Sequence, residues 1–311
     1  MIKVVLCTYN GEKFIEEQLN SILSQTLQVD TIEIFDDCSV DNTMEKIKRI
    51  VDKFKNEKVK FIVNINSKNK GYIENFSHAI KNCTPKDEFV FLCDQDDVWE
   101  PDKVKVMVAK LKEYKNTPSL VFSDAKLIDA LGNHLNNKLW NSINFNILKD
   151  ADYELTRRNV VTGATAALNY ALVEVFKHTQ ISKFLPHDYC LAVLASSYGS
   201  LIPIEDELTR YRLHGNNQIG TSASFLERAK KVLFDRKGAT LKSEIGKFSE
   251  LMEITKIQDP VKYAAFREKW KLYCLLFKHN CLLSPIILIK HKVSFKAAVK
   301  LMQMSIMRYL R

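Results

Sequence analysis

Residues 88–103 read EFVFLCDQDDVWEPDK, and the fold is decided in that stretch. Glu88–Cys93 is a short apolar run, and three aspartates follow it within four positions: Asp94, Asp96 and Asp97. A continuous apolar run of this length suits a strand buried on both faces, as in a parallel sheet covered by helices. The helix expected next spans Glu100–Tyr114, with Pro101 near its start, where a missing N–H costs nothing.

The chain before this stretch repeats the same pattern. Ile2–Thr8 is an apolar strand, and Glu12–Gln25 follows with Ile15, Leu19, Ile22 and Leu23 on one helical face. Thr31–Phe35 and Lys58–Ile65 read as strands, and Asp41–Phe54 and Ile73–Lys81 as helices. Repeated strand–helix units imply an α/β fold with a mainly parallel sheet flanked by helices, a Rossmann-like architecture. After Tyr114 the pattern loosens. Leu120–Asp129 and Val160–Leu168 are expected strands, Asp188–Ser197 an apolar helix, and Glu207–His214 closes a catalytic domain spanning 1–222.

Composition bounds the function. The chain has 311 residues, 46% apolar and 27% charged, enough for one large core with an appendage. Seven cysteines, none in a CxxC pair, read as reduced core thiols and favour a cytoplasmic setting. Met1 leads directly into a strand, so no secretory leader is expected. The apolar run Leu282–Ile289 falls far short of the ~20 residues of a membrane span. No GxGxxG or GxxxxGK[ST] occurs, so dinucleotide and P-loop readings lose their main support. No nucleophile elbow is present for a serine triad.

In open α/β sheets ligands bind at the carboxyl ends of the strands, where strand order reverses. The expected strand ends carry Thr8-Tyr9-Asn10-Gly11, then Asp36-Asp37-Cys38-Ser39, then Asp94-Gln95-Asp96-Asp97. Gathered carboxylates repel unless a cation neutralises them, and hard oxygens suit Mg²⁺ or Mn²⁺. A cation held by one or two of them keeps positions open for phosphate oxygens. The rival reading is a surface turn in which Asp97 caps the following helix. Asp41 reads as a cap in the same way, whereas a carboxylate at Asp36 or Asp37 can accept the N3–H of uracil or thymine.

These blocks resemble the family-2 glycosyltransferases of the GT-A fold. The resemblance rests on TYNGEKFIEEQLNSILSQT (8–26), DDCSVDNT (36–43) and CDQDDVWEPDKV (93–104), and it continues through Val161-Thr162-Gly163-Ala164, Pro186-His187-Asp188-Tyr189 and Tyr211-Arg212-Leu213-His214. The DQDDVW, HDY and YRxHxxN forms are most similar to the rhamnosyltransferase-type branch that builds bacterial surface polysaccharides. The resemblance implies that Thr8, Tyr9 and Asn10 line a nucleotide base, that Asp36 and Asp37 bind it, and that Asp94 touches the ribose. It implies Asp96, Asp97 and His214 around a Mn²⁺ or Mg²⁺ ion and the diphosphate, with Asp97 the direct ligand. Thr162 and Gly163, with His187 and Arg212, belong to the donor-sugar and acceptor loop, and Asp188 to the general base. The implied reaction is an inverting hexosyl transfer from a dTDP- or UDP-linked sugar, dTDP-L-rhamnose first, to a lipid-linked or glycan acceptor. Cys38 and Ala164 stand where many family members carry Gly. The rivals are a metal-dependent phosphotransferase using the same aspartates and a non-catalytic scaffold.

The net charge of +9 sits unevenly. From Ala223 onward 19 Lys/Arg face 7 Asp/Glu, and no acid follows Glu268. Phe266, Trp270, Tyr273 and Phe277 recur at helical spacing, and Phe295, Ala298, Met302, Ile306 and Tyr309 lie opposite Lys292, Lys296, Lys300 and Arg311. Residues 223–311 are therefore expected as a basic amphipathic helical extension, lying on the anionic inner face of a membrane or packing as a homo-oligomer. No nucleic-acid module is recognisable, so nucleic acid is not an expected partner.

Overall fold

The computed structural model describes residues 1–54, 57–148, 151–155, 159–179 and 186–214. The expected helical extension and the boundary after residue 222 lie outside the described residues. In chain order the elements are β1 (Ile2–Thr8), α1 (Ile15–Leu23), β2 (Thr31–Asp36), α2 (Thr43–Phe54), β3 (Lys60–Ile65), α3 (Tyr72–Lys81), β4 (Phe89–Cys93), β5 (Val98–Trp99) and α4 (Lys103–Lys112). They continue with β6 (Ser119–Ile128), β7 (His134–Lys138), α5 (Leu139–Ser142), α6 (Ala151–Leu155), a 3-10 turn at Gly163–Thr165, β8 (Ala166–Asn169), α7 (Tyr170–Lys177), α8 (His187–Tyr198) and β9 (Ser200–Arg212).

One sheet runs β3-β2-β1-β4-β8-β6-β9-β5, with β7 hydrogen-bonded to β6. The long registers are parallel: β1 with β2 and β4, β2 with β3, and β6 with β9. The antiparallel registers of β8, β5 and β7 are short. Val4, Leu6, Ile32, Ile34 and Phe91 of the parallel half are buried, with Ile15, Leu19 and Ile22 of α1 among the same core residues. This explains why those strands read as unbroken apolar runs.

The chain leaves β1, builds β2 and β3 on one side, and returns to place β4 on the other. Strand order thus reverses between β1 and β4, and their carboxyl ends open at that switch point.

Several elements begin later than the sequence periodicity suggests. Gly11–Phe14 forms a turn, with Phe14 N–H donating to the Gly11 carbonyl at 3.1 Å, so α1 starts at Ile15. The residues after Asp97 form β5 before α4, because Val98 and Trp99 pair with Arg210 and Thr209. A two-residue strand made by a partner 110 positions away has no local signal. Asp41 does cap: its carboxylate accepts from the Thr43 N–H at 3.0 Å and from the Thr43 hydroxyl.

Asn169 ties the second half together. Its Oδ1 accepts from Ser119 N (3.0 Å) and Leu172 N (3.1 Å), capping α7, while its Nδ2 donates to the carbonyls of Thr117 (2.7 Å) and Tyr114 (3.1 Å). The side chain is buried, so its loss strands four backbone groups. Asn169→Ala is expected to lower the unfolding free energy by about 2–4 kcal/mol, measured by urea denaturation. A loss under about 1 kcal/mol would refute the four-bond account.

Candidate active site

Three strand ends meet at the switch point. At the end of β2, Asp36 is fully buried. Its Oδ1 accepts from the Thr8 hydroxyl (2.8 Å) and the Ser39 hydroxyl (2.6 Å), and its Oδ2 accepts from Ser39 N (2.8 Å). Thr8 and Asp36 are therefore turned on each other and hold the turn. That turn places Cys38 at φ 67°. Glycine adopts this left-handed conformation freely, and an L side chain there costs about 1–2 kcal/mol. The Gly-to-Cys departure is thus a strained position in the fold.

Asp37 anchors the next loop. Its Oδ1 accepts from Asn66 Nδ2 (2.8 Å) and Lys70 N (2.9 Å), and its Oδ2 from Gly71 N (2.8 Å). A carboxylate offers about four acceptor positions. Among the described residues one position on Oδ2 is left for an N–H from outside. Asn10, at φ 48°, accepts Val40 N at 2.9 Å through its side chain, and the Tyr9 ring is 46% exposed at the mouth.

Gln95 joins β1 to β4 across the reversal. Its Oε1 accepts from Tyr9 N (2.8 Å) and its Nε2 donates to the Tyr9 carbonyl (2.9 Å). The sequence reading gave this residue no role. A Cβ on Gly11 would stand 2.2 Å from Gln95 Oε1, so glycine is required for the clamp to close.

The acidic loop lies beside this clamp. Asp97 caps no helix, since α4 starts at Lys103 with Asp102 at its N-cap position. Its side chain is 2% exposed, with Oδ1 accepting from Arg212 N at 2.9 Å. Its Oδ2 accepts no hydrogen bond among the described residues. Burial first, then the Asp96 and Asp94 charges, push Asp97 well above the usual carboxylate range. Asp94 is pushed up to about 7 by loss of solvent, then by Asp96 and Asp188. His214 Nε2 lies 2.8 Å from Asp96 Oδ2, and its ring stacks on Phe14 at 5.0 Å.

Arg212, expected with the donor-sugar and acceptor loop, spends its guanidinium on the protein. Its Nε donates to the Asp96 carbonyl (2.7 Å), Nη2 to Glu17 Oε2 (2.6 Å), and Nη1 points at the carbonyls of Asp129 and Ala130 (3.4 Å each). The guanidinium lies 4.8 Å over Phe14. Every arm of this buried fork holds protein, so Arg212 braces the acidic loop.

No group of three or more His, Cys, Asp or Glu stands in metal-ligand geometry among the described residues. The donor chemistry nonetheless fits a hard divalent cation: a buried, unpartnered carboxylate oxygen on Asp97 with Asp94, Asp96 and His214 close by.

On the other wall, Asp188 occupies the first turn of α8, where the helix dipole favours its charge. Its Oδ1 accepts from Tyr189 N at 2.7 Å. Burial pushes the carboxyl up to about 6, against hydrogen bonds from Tyr189, Gly163 and the Asn159 side chain. Asn159 carried no motif signal. Its neighbour His187 is 5% exposed and stacked on Phe76 at 4.2 Å, and neither ring nitrogen has a partner among the described residues. Burial holds it down to about 3, so the ring is neutral. A Cβ on Gly163 would meet His187 Nε2 at 3.0 Å, which keeps the Thr162–Thr165 turn flat against the imidazole. Tyr72, at the start of α3, feels both Asp188 and Asp94, and these add to its burial in raising its pKa. It is a further site residue that no motif marked.

The model of Glycosyl transferase family 2 matches residues 3–176. The chain is 28% identical over 255 residues to the dTDP-rhamnosyl transferase RfbG of Shigella flexneri, covering 73% of this chain and 78% of that one. Among solved structures it is similar to TarS 1-349 of S. aureus in complex with UDP, at a TM-score of 0.51 and 18% identity over 86% of this chain and 88% of that one. It is also similar to the mannosyltransferase PcManGT from Pyrobaculum calidifontis in complex with GDP-Man and Mn²⁺, at a TM-score of 0.54 and 16% identity, covering 98% and 83%. At those identities the solved structures speak for the fold.

The Gly11–Gln95 clamp has a direct test. Gly11→Ala and Gln95→Ala should each cost about 1–2 kcal/mol in denaturant unfolding, the scale of two hydrogen bonds. The double variant should cost little more than either single one, because both remove the same clamp. Additive losses would show the clamp is not shared.

Proposed function

The chain belongs to glycosyl transferase family 2, and we propose that it moves a hexosyl group from a nucleoside-diphosphate sugar to a hydroxyl of a lipid-linked or glycan acceptor, inverting the anomeric carbon. The observation that carries this reading is a buried carboxyl in the first turn of α8, within electrostatic reach of Asp94 at the switch point. Asp188 removes the proton of the acceptor hydroxyl. That oxygen attacks the anomeric carbon as the bond to the nucleoside diphosphate breaks. A base tuned near the working pH is what such a step needs.

The remaining residues bind and orient. Asp37 offers its last acceptor position to the N3–H of the base, and the exposed Tyr9 ring offers a face to it. Asp94 reaches the ribose. Asp97, through its unpartnered Oδ2, with Asp96 and His214, would hold Mn²⁺ or Mg²⁺, which when bound supplies Lewis-acid stabilisation of the diphosphate. Gly163 keeps the donor-sugar turn against His187.

The donor we favour is dTDP-L-rhamnose, on the likeness to a dTDP-rhamnosyl transferase, with a UDP-hexose second. Uracil and thymine present the same N3–H to Asp37, so that residue does not separate them. No helix among the described residues is long and apolar enough to cross a membrane. Anchorage on an anionic surface is supported by the basic composition of residues 223–311.

Asp188→Asn should lower nucleoside diphosphate release by about 10²–10⁴-fold across a panel of dTDP- and UDP-sugars. The base works ionised, so wild-type kcat/KM should climb through about pH 6, with a further rise through about pH 7 as Asp94 ionises. The limb near pH 6 should vanish in the Asn variant. Turnover of simple phosphoesters without nucleotide-sugar turnover would favour the phosphotransferase rival.

Lys292, Lys296 and Lys300 replaced together by Gln should weaken binding to anionic liposomes about a hundredfold, at about 1 kcal/mol per lysine. Equal flotation of the two proteins would remove the membrane reading.

A further inference from the structure

Lys103 opens α4, six residues beyond the acidic loop, and its side chain runs inward. Its Nζ donates to the Ala164 carbonyl at 2.6 Å and to the Thr209 hydroxyl at 2.8 Å. The ammonium also lies 4.2 Å from the centre of the Trp99 ring. The residue is fully buried, and among the described residues no carboxylate stands within ion-pair distance of it.

A buried ammonium without a paired anion is costly, and methionine would fill the same space without that cost. Two properties belong to the ammonium alone. One is a positive charge fixed inside the protein. The other is a pair of charge-assisted hydrogen bonds to the turn and to β9. The turn is significant because Ala164 follows Gly163, whose N–H reaches Asp188. Burial brings Lys103 down to about 8, against the charges of Cys93, Asp97 and Asp94.

We propose that Lys103 is a positioning residue that anchors the Gly163–Thr165 turn, which carries a hydrogen bond to Asp188. It touches neither substrate nor reacting atoms. Its place is fixed by Ala164 O, Thr209 Oγ1 and the Trp99 ring, and it acts through the turn. This role rests on the glycosyltransferase reading above.

The role is tested in the full-length protein. Lys103→Met removes the anchor, so kcat for nucleoside diphosphate release should fall about tenfold with donor KM little changed. Thr209→Val keeps the ammonium and removes one anchor bond, so kcat should fall about threefold, and Thr209→Ser, which restores the hydroxyl, should recover it. A merely structural lesion would not follow the hydroxyl in this way.

Unchanged kcat in Thr209→Val overturns the anchor, as does a loss that Thr209→Ser fails to recover, and this arm stands even where Lys103→Met fails to fold. Wild-type nucleoside diphosphate release is measured in the same preparations. Its absence sinks the transferase reading, whereas its presence beside an unaltered Lys103→Met sinks only the role of Lys103.

Discussion

Like charges crowded at one sheet edge are the constraint on which the rest of this structure depends. Asp94, Asp96 and Asp97 occupy four positions at the end of β4, and Asp188 is near enough to raise the pKa of Asp94. Carboxylates gathered in a place poor in water resist ionisation. The surroundings answer this repulsion piece by piece. Arg212 N–H supports one oxygen of Asp97, and the guanidinium of Arg212 grips the Asp96 carbonyl. His214 meets Asp96, and Tyr189, Gly163 and Asn159 donate to Asp188. These partners hold the loop in shape and leave Asp97 Oδ2 uncompensated. A fold can tolerate such a group when something else will satisfy it, and a divalent cation is the chemistry best matched to a bare carboxylate oxygen.

The aspartates at the end of β2 show a different use of the same residue type. Asp36 and Asp37 stand side by side in sequence, yet their carboxylates organise two different loops. Asp36 closes the turn through Cys38 and Ser39, while Asp37 gathers Asn66, Lys70 and Gly71 at the start of α3. By fixing Gly71, Asp37 also fixes Tyr72, which faces the two carboxylate walls. Recognition and scaffolding are therefore not separable at this position. A change at Asp37 would disturb the helix that brings Tyr72 and Phe76 against His187 as well as any contact with a base.

The parallel half of the fold was legible because its signals are local. β1, β2 and β4 are unbroken apolar runs, and helices α1 to α4 show their faces within one or two turns of sequence. The antiparallel half was not. β5 exists because Val98 and Trp99 meet Arg210 and Thr209. α7 is capped by Asn169, a residue equally engaged with Ser119, Thr117 and Tyr114. Such elements are specified by partners distant in sequence, which periodicity does not record. The site divides in the same way. The acidic loop and HDY stood out as motifs, while Gln95, Tyr72, Asn159 and Lys103 act by reaching across the fold. Arg212 was noticed for its motif, which marks the residue but not the direction in which its fork points.

Lys103 shows why this second group is the more informative about mechanism. A motif names residues able to hold a ligand, whereas the cost of a buried charge points to residues that must be compensated by function. Asp97 and Lys103 are both buried, opposite in sign, and not in contact. A direct ion pair between them would satisfy each and close the loop against any cation from outside. Held apart, Lys103 spends its hydrogen bonds on Ala164 and Thr209 and does not occupy the oxygen that a metal would use.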